Sequence, residues 1–470
     1  MKNSNGQISK KRMAESSTRK ARKTGRIKKD RISVLPRNIL ETILCCLPIR
    51  DAVRTSVLSR VWRHCWTTVP DLVFDECVRN MWMDHNRVLT ALKLVSVINM
   101  VLLRHNGPIL KFSLTIPLYC CDFEVVHDYI DQWIPVFSRM GIRQFTLDQY
   151  YQVHRVHNFS TLNLSHLRLR NVWFPYKSAV GGLTYLRIIE LIKVSASEES
   201  IFSCPVLEKL SLIYCKGLLP SNFRAPNLKC LHQMYWEMTS EFSLSGLENL
   251  TEFSCRLSSW PEMHNEKSNM VKVFSSLHKI EKICIAKCSI TYLAAGGSPK
   301  RFTKPLPYLK TLCICDIDLN CLSEVSCLRC LIRSAPNLCK LHISVSHMHL
   351  HSFCIAGSDE AEEENLNSRW EDASEECTVD HLEIVTFSNF RGLEGELELV
   401  KFLLASSPLL KTMFIHYDWE MGKDDAFEIL EEMLEFSRAS PRAQIKHLKY
   451  PFHAVDYGPW VGPWLDALEE

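Results

Sequence analysis

The chain contains no apolar run of the roughly 18 residues needed to cross a bilayer, so a helical membrane span is excluded on length. Its N-terminus is basic and polar, without the apolar core and small-residue cleavage site of a secretory signal, which makes nucleus and/or cytoplasm the expected location. Catalytic signatures are missing as well: no Gly-x-x-x-x-Gly-Lys phosphate loop, no His-Glu-x-x-His zinc helix, no Gly-x-Ser-x-Gly elbow and no Gly-x-Gly-x-x-Gly dinucleotide turn. No catalytic residue, cofactor or metal is therefore expected. Charge of one sign is also scarce, at a net +3 over 470 residues, and 46% hydrophobic with 23% charged residues is the composition of an ordinary globular chain. The length allows roughly two to four domains.

Cysteine is plentiful, with 20 residues, but the missing secretory signal argues against a disulfide framework. Many of these residues sit inside apolar, strand-like runs, as Cys284, Cys313 and Cys315 do. Reduced and buried, a thiol behaves as a small hydrophobe, and these are expected in the core.

The near-neutral total hides an asymmetry. Lys10, Lys11, Arg12, Arg19, Lys20, Arg22, Lys23, Arg26, Lys28 and Lys29 crowd residues 1–30. Asp359, Glu360, Glu362, Glu363, Glu364, Glu371, Asp372, Glu375 and Glu376 crowd residues 358–377. Neither stretch has apolar periodicity, and both are expected to be disordered. The basic arm is open to three readings: a solvated tail, a two-cluster nuclear import signal, or an arm for nucleic-acid phosphates.

The stretch Ile32 to Pro70 is built differently. Ile39, Leu40, Ile43, Leu44 and Leu47 recur at helical steps between Pro36 and Pro48, which predicts a short amphipathic helix. Asp51 can cap a second helix carrying Ala52, Val53 and Val57, and Ser59 can open a third with Trp62 and Trp66 one turn apart. A unit this small buries little of its own surface and leaves Leu and Trp side chains in need of cover. The ordered positions Ile32, Leu35, Pro36, Ile39, Leu40, Ile43, Leu44, Leu47, Pro48, Asp51, Ala52, Thr55, Leu58, Ser59, Trp62 and Trp66 resemble an F-box in its plant form. That resemblance implies docking on a Skp-family adaptor and, through it, a cullin-RING ubiquitin ligase. The docking residues it implies are Leu35, Pro36, Ile39, Leu40, Ile43, Leu44, Leu47, Pro48, Val57, Leu58 and Trp62, with Trp66 open to a core role. A helical cap on the following repeats is the alternative that composition leaves open.

Beyond it, Met81 to Arg104 has helical patterning, Ile109 to Ile116 alternates like a strand, and a second helical stretch runs through Phe123 to Trp133, suggesting a larger opening repeat. An apolar-x-x-Leu-x-Leu core then recurs around Phe145, Leu167, Leu186, Leu210, Leu231, Phe253, Ile283, Leu312 and Leu341. The intervals are 22, 19, 24, 21, 22, 30, 29 and 29 residues, straddling the leucine-rich-repeat range of about 20 to 29. Alternate Leu side chains face inward and are covered only by the next turn of a solenoid. Pro205, Pro226, Pro307 and Pro336 precede repeats and end the segment before each strand. The residues between the inward leucines, Arg168, Arg170, Lys209, Ser211, His232, Lys282, Lys310, Cys313 and His342, are expected to line a concave face that is mixed and moderately basic.

After the acidic segment the pattern is strand, turn, helix, strand, helix. Gly392-x-x-Gly395, Leu409-Leu410-Lys411 and Arg438-Ala439-Ser440-Pro441 resemble the FBD region of plant F-box/leucine-rich-repeat proteins, here expected to cap or extend the solenoid. A zinc reading of Cys327-x-x-Cys330 with His347, His349, His351 and Cys354 has a simpler rival, because the two cysteines lie in an apolar helical stretch.

The expected organisation is thus α/β: basic arm 1–30, F-box 31–75, leucine-rich-repeat solenoid 76–357, acidic insertion 358–377, FBD region 378–452 and tail 453–470. The resemblance implies a non-catalytic substrate receptor of a Skp-cullin-F-box ligase, with an unknown protein target on the repeats and no membrane partner. The alternative is a nuclear scaffold whose basic arm associates with nucleic acid.

Overall fold

The structure is a computed structural model that describes residues 32–74, 86–116, 122–149, 159–174, 184–196, 204–215, 225–236, 244, 246–257, 273–274, 276–294, 305–346, 379–418 and 420–448. The basic arm, the acidic segment, the tail, and His347, His349, His351 and Cys354 of the zinc reading lie outside these residues. Two compact units divide the chain between Val69 and Pro70. Among the described residues no helix is long and apolar enough to cross a membrane.

In the first unit, α1 (Arg37–Cys45) and α2 (Ile49–Arg54) each follow a Leu-Pro pair. Pro36 and Pro48 are the N-caps, extended at φ −56° and −54°, and their carbonyls accept the first helical hydrogen bonds from Ile39 and Leu40 and from Asp51 and Ala52. Each proline lacks the N–H a helix start leaves unpaired, which suits it to this place. The second helix therefore opens at Ile49 rather than at Asp51, whose carboxylate sits in the first turn beside Arg54, 3.4 Å away. The third segment, Trp62–Thr68, winds as a 3-10 helix rather than an α-helix. Cys65, Thr67 and Thr68 side chains donate back to the carbonyls of Val61, His64 and Cys65, competing with a regular α ladder.

The second unit is a 14-stranded sheet in which sequential strands pair in parallel. It opens with β1 (Asp71–Phe74), α3 (Arg87–Arg104), β2 (Lys111–Ile116), α4 (Phe123–Met140) and β3 (Gln144–Gln149), the larger opening repeat. Then follow β4 (His166–Arg170), β6 (Ile188–Ile192), β8 (Lys209–Ile213), β9 (Cys230–Trp236), β10 (Glu252–Leu257) and β11 (Lys282–Ala286). The two-residue strands β5 (Trp173–Phe174) and β7 (Ser195–Ala196) pair separately. Longer repeats follow: α5 (Lys287–Ala294), β12 (Thr311–Ile317), α6 (Leu322–Ser334) and β13 (Lys340–Val345). The chain ends in β14 (Ile384–Phe390), α7 (Glu394–Ser406), β15 (Thr412–Tyr417), α8 (Lys423–Glu435) and β16 (Gln444–Leu448). Strands β14 to β16 continue the same sheet, so the FBD region extends the solenoid.

Inward rows carry the packing. Phe112, Phe145, Leu167, Leu210, Leu231, Phe253, Ile283, Leu312 and Leu341 align across the strands, but strand β6 contributes Ile189, not Leu186. Leu186 is buried three residues earlier, in the turn row that also holds Leu164, Leu207 and Leu228. Both rows are apolar, so a Leu-x-x-Ile window fits either. With Ile189 in place the intervals from Phe145 to Phe253 become 22, 22, 21, 21 and 22 residues. Aromatic rings fill the wide end of this core, with Phe112 centroids 4.5 Å from Phe137 and 5.8 Å from Phe145.

Turns are tied from one repeat to the next. Asn227, Asn249 and Asn337 amides donate to the carbonyls of Pro205, Pro226 and Pro307 at 2.7–2.8 Å. Strand ends are set by left-handed residues, Asn171, Lys193 and Tyr214, whose N–H groups reach Ile192, Ile213 and Met234. In the FBD region Gly395 is required by contact: a Cβ there would stand 2.6 Å from the Leu319 carbonyl oxygen. The buried Glu396 carboxylate accepts from the backbone N–H groups of Arg391 and Gly392 at 2.8 Å, fixing the start of α7.

Candidate docking surface

Helix α1 carries two apolar stripes. Leu40 and Leu44 are 1% and 0% exposed, and they pack in a core with Ile49, Ala52, Trp62 and Trp66. Leu35, Ile39, Ile43 and Leu47, spaced four apart, form an exposed row about 100° further round. A single wide stripe in the sequence is thus an inner and an outer face in the fold.

The expected docking set therefore divides. Leu35, Pro36, Ile39, Ile43, Leu47, Val57 and Leu58 are exposed, and Pro48 is half-buried. Leu40, Leu44 and Trp62 are corrected to core positions, because they are what the small unit has to bury. Trp66 joins them. The Trp62 indole donates to Ser33 Oγ at 3.0 Å, Ser33 stands 3.2 Å from Ser59 Oγ, and Thr68 donates to Glu41 at 2.7 Å, so the buried end of each tryptophan segment is anchored. Burial pushes the Cys65 thiol up from its ordinary value, which keeps it neutral among the packed rings.

The most exposed of the unit's apolar side chains are Val57 at 87% and Leu58 at 66% in the turn after α2, with Val61 half exposed one turn on, and Val34 at 81% before α1. Val34 and Val61 were not in the expected set; the Val57-Leu58-x-x-Val61 spacing was a signal for Val61 alone. An apolar ridge of this kind on a short helical unit is chemically suited to receive a complementary apolar groove, and to little else. It offers no nucleophile paired with a base.

On the sheet, the face opposite the leucines is less open than expected. Arg170, Ser211, His232, Cys313 and His342 are buried, since neighbouring strands under 5 Å apart let flanking side chains close over short ones. Lys310 lies before β12 rather than on it. The cations are paired: Arg168 with Asp148 and Glu190 at 3.9 and 3.6 Å, Arg170 with Asp148 at 3.6 Å, Lys209 with Glu190 at 3.0 Å, and Lys282 with Glu252. Among the described residues the face is mixed as expected, and pairing of its cations takes the place of the moderately basic character. Desolvation pushes the His232 imidazole down to about 4, so it is neutral at pH 7. Cys327 and Cys330 are buried on α6, in the apolar helix the sequence indicated.

Comparison with known proteins finds two family domains in the chain. Residues 32–74 match the F-box domain family and residues 375–415 the FBD family. An F-box/FBD/LRR-repeat protein of Arabidopsis thaliana is 34% identical over 435 residues, covering 89% of this chain and 99% of that protein. A second protein of that description from the same plant is 24% identical over 448 residues, covering 89% of this chain and 98% of its own length. An FBD-associated F-box protein, also from Arabidopsis, is 24% identical over 423 residues, covering 81% of this chain and 89% of that protein.

Proposed function

The chain belongs to the F-box/FBD/LRR-repeat family, and we propose on that premise that it is the substrate receptor of a Skp-cullin-F-box ubiquitin ligase. The helical unit docks on a Skp-family adaptor through Leu35, Pro36, Ile39, Ile43, Leu47, Pro48, Val57 and Leu58, with Val61 added. The parallel sheet and its helices recruit a protein target. The receptor itself is non-catalytic: it holds the target near a charged ubiquitin-conjugating enzyme and raises the effective concentration of a target lysine. The observation that carries this reading is the set of large apolar side chains that this small unit leaves in solvent, Val57, Val34 and Leu58 foremost, while Leu40, Leu44, Trp62 and Trp66 are buried. The ion pairing along the sheet face favours a protein target over nucleic-acid phosphate, which needs uncompensated cations.

The test is affinity purification of the full chain, with and without proteasome inhibition, followed by mass spectrometry. The adaptor and cullin are expected in both samples, and the target is expected to accumulate only under inhibition. Leu35→Ala with Pro36→Ala is expected to lose the adaptor while circular dichroism stays unchanged. Adaptor retained by that folded double variant would overturn the docking assignment.

A further inference from the structure

The sequence suggests no metal site at Cys284, Cys313 and Cys315, because they lie some thirty residues apart on two repeats. The strand register brings them together. Cys284 on β11 stands directly opposite Cys313 on β12, and Cys315 follows two residues on along the same face. Their sulfurs lie 4.0 Å (Cys284 to Cys315) and 3.7 Å (Cys313 to Cys315) apart, and all three fall within 4.8 Å of one another. Thiolates around a tetrahedral zinc ion, each about 2.3 Å from the metal, sit about 3.8 Å apart. Three thiols are therefore already spaced as three corners of such a site.

A fourth group lies on the next strand, its ring nitrogens not within 4.8 Å of all three sulfurs, so that ligation would need a rotation of its side chain. His342 on β13 is the register partner of Cys313 and is 2% exposed. Among the described residues neither of its ring nitrogens has a hydrogen-bond partner. A buried imidazole left unpaired is costly, and a metal bond to its lone pair removes that cost. The ring is within electrostatic reach of Cys315.

We propose that Cys284, Cys313, Cys315 and His342 bind one Zn2+ ion as a structural staple across β11, β12 and β13. On binding, three S–H groups release three protons to solvent, three thiolates and one neutral imidazole ligate the metal, and the site carries one net negative charge, the nearby Lys282 and Arg256 being paired with Glu252 and Asp316. Three thiolates select a soft or borderline cation over Mg2+ or Ca2+, and the imidazole completes a closed tetrahedron without an open catalytic position. The staple lies in the long repeats, immediately before the chain leaves β13 for the 347–378 segment. The second cluster of ligating groups, Cys230, His232 and Glu252, is a weaker candidate because Glu252 is engaged by Lys282.

The test uses the full chain co-expressed with its adaptor and purified without a metal-chelating resin. Elemental analysis is expected to give one zinc per chain, falling to background in Cys284→Ser with Cys313→Ser. Cys327→Ser, on the buried face of α6, is expected to keep its zinc. His342→Ala is expected to weaken binding at least about tenfold in chelator competition. Should the double variant fail to fold, Co2+ exchanged into the native chain decides the matter: intense thiolate-to-cobalt charge-transfer absorption with tetrahedral visible bands is expected. Sub-stoichiometric zinc in the native chain, copper in its place, zinc retained by the folded double variant, or a cobalt spectrum without thiolate bands would each overturn the proposal.

Discussion

Replacing Val57 and Leu58 by alanine separates a docking ridge from ordinary surface. Val57 is 87% and Leu58 66% exposed, so the folded chain gains little from their outer carbons. The change removes two carbons from one and three from the other. At about 0.8 kcal/mol per buried carbon, scaled by those exposures, full coverage by an adaptor makes the pair worth about 3 kcal/mol of binding. That corresponds to about a hundredfold in Kd. Thermal unfolding should move little, because surface substitutions away from special features stay within about 0.5 kcal/mol. Isothermal titration of the purified adaptor into native and doubly substituted chain measures the first quantity, and a melt of each measures the second. A Kd unchanged within threefold, with both proteins folded, would refute the assignment of this ridge.

Leu44→Ala, deep in the helical unit, is expected to cost about 2–5 kcal/mol of that unit's stability and to lose adaptor binding through unfolding, seen as lost far-ultraviolet helix signal. Gly395→Ala would place a methyl 2.6 Å from the Leu319 carbonyl oxygen and is expected to lower stability by about 1–3 kcal/mol in denaturant titration, whereas Gly141→Ala meets no such neighbour and is strained only by its φ of +79°. The buried His232 gives acid sensitivity: its folded pKa, about 4, lies below the unfolded value, so the unfolded chain takes up a proton the fold refuses. Stability should fall as pH drops from about 6.5 towards 4, by at most about 3 kcal/mol from this residue, and His232→Gln should flatten that part of the profile. Glu252, Glu190, Lys209 and Lys282 face the ring, and a profile unchanged by the substitution would show that they, not His232, set the slope.

Much of this was legible in the residues because period and position coincide. The Leu35-Pro36 pair marked the first helix start and alternating apolar residues marked the strands, whereas the second helix, expected to be capped by Asp51, opens after Pro48. Three things were not legible. An apolar window does not say which of two apolar rows it occupies, hence Leu186 standing where Ile189 aligns. A helix with apolar residues at adjacent positions has two apolar faces, and only packing tells that Leu40 and Leu44 face in while Ile39 and Ile43 face out. Groups from separate repeats meet only through register, so the charge pairing of Arg168 with Glu190 and the meeting of Cys284 with Cys313 required the sheet.

The central claim is that the helical unit of residues 32–69 is completed by a Skp-family adaptor. Amide hydrogen exchange on the full chain, with and without purified adaptor, tests it most directly. Added slowing of exchange across 34–61, strongest around Val57 and Leu58 and absent from the sheet, is the predicted result. Exchange in that stretch that stays the same at saturating adaptor would contradict it.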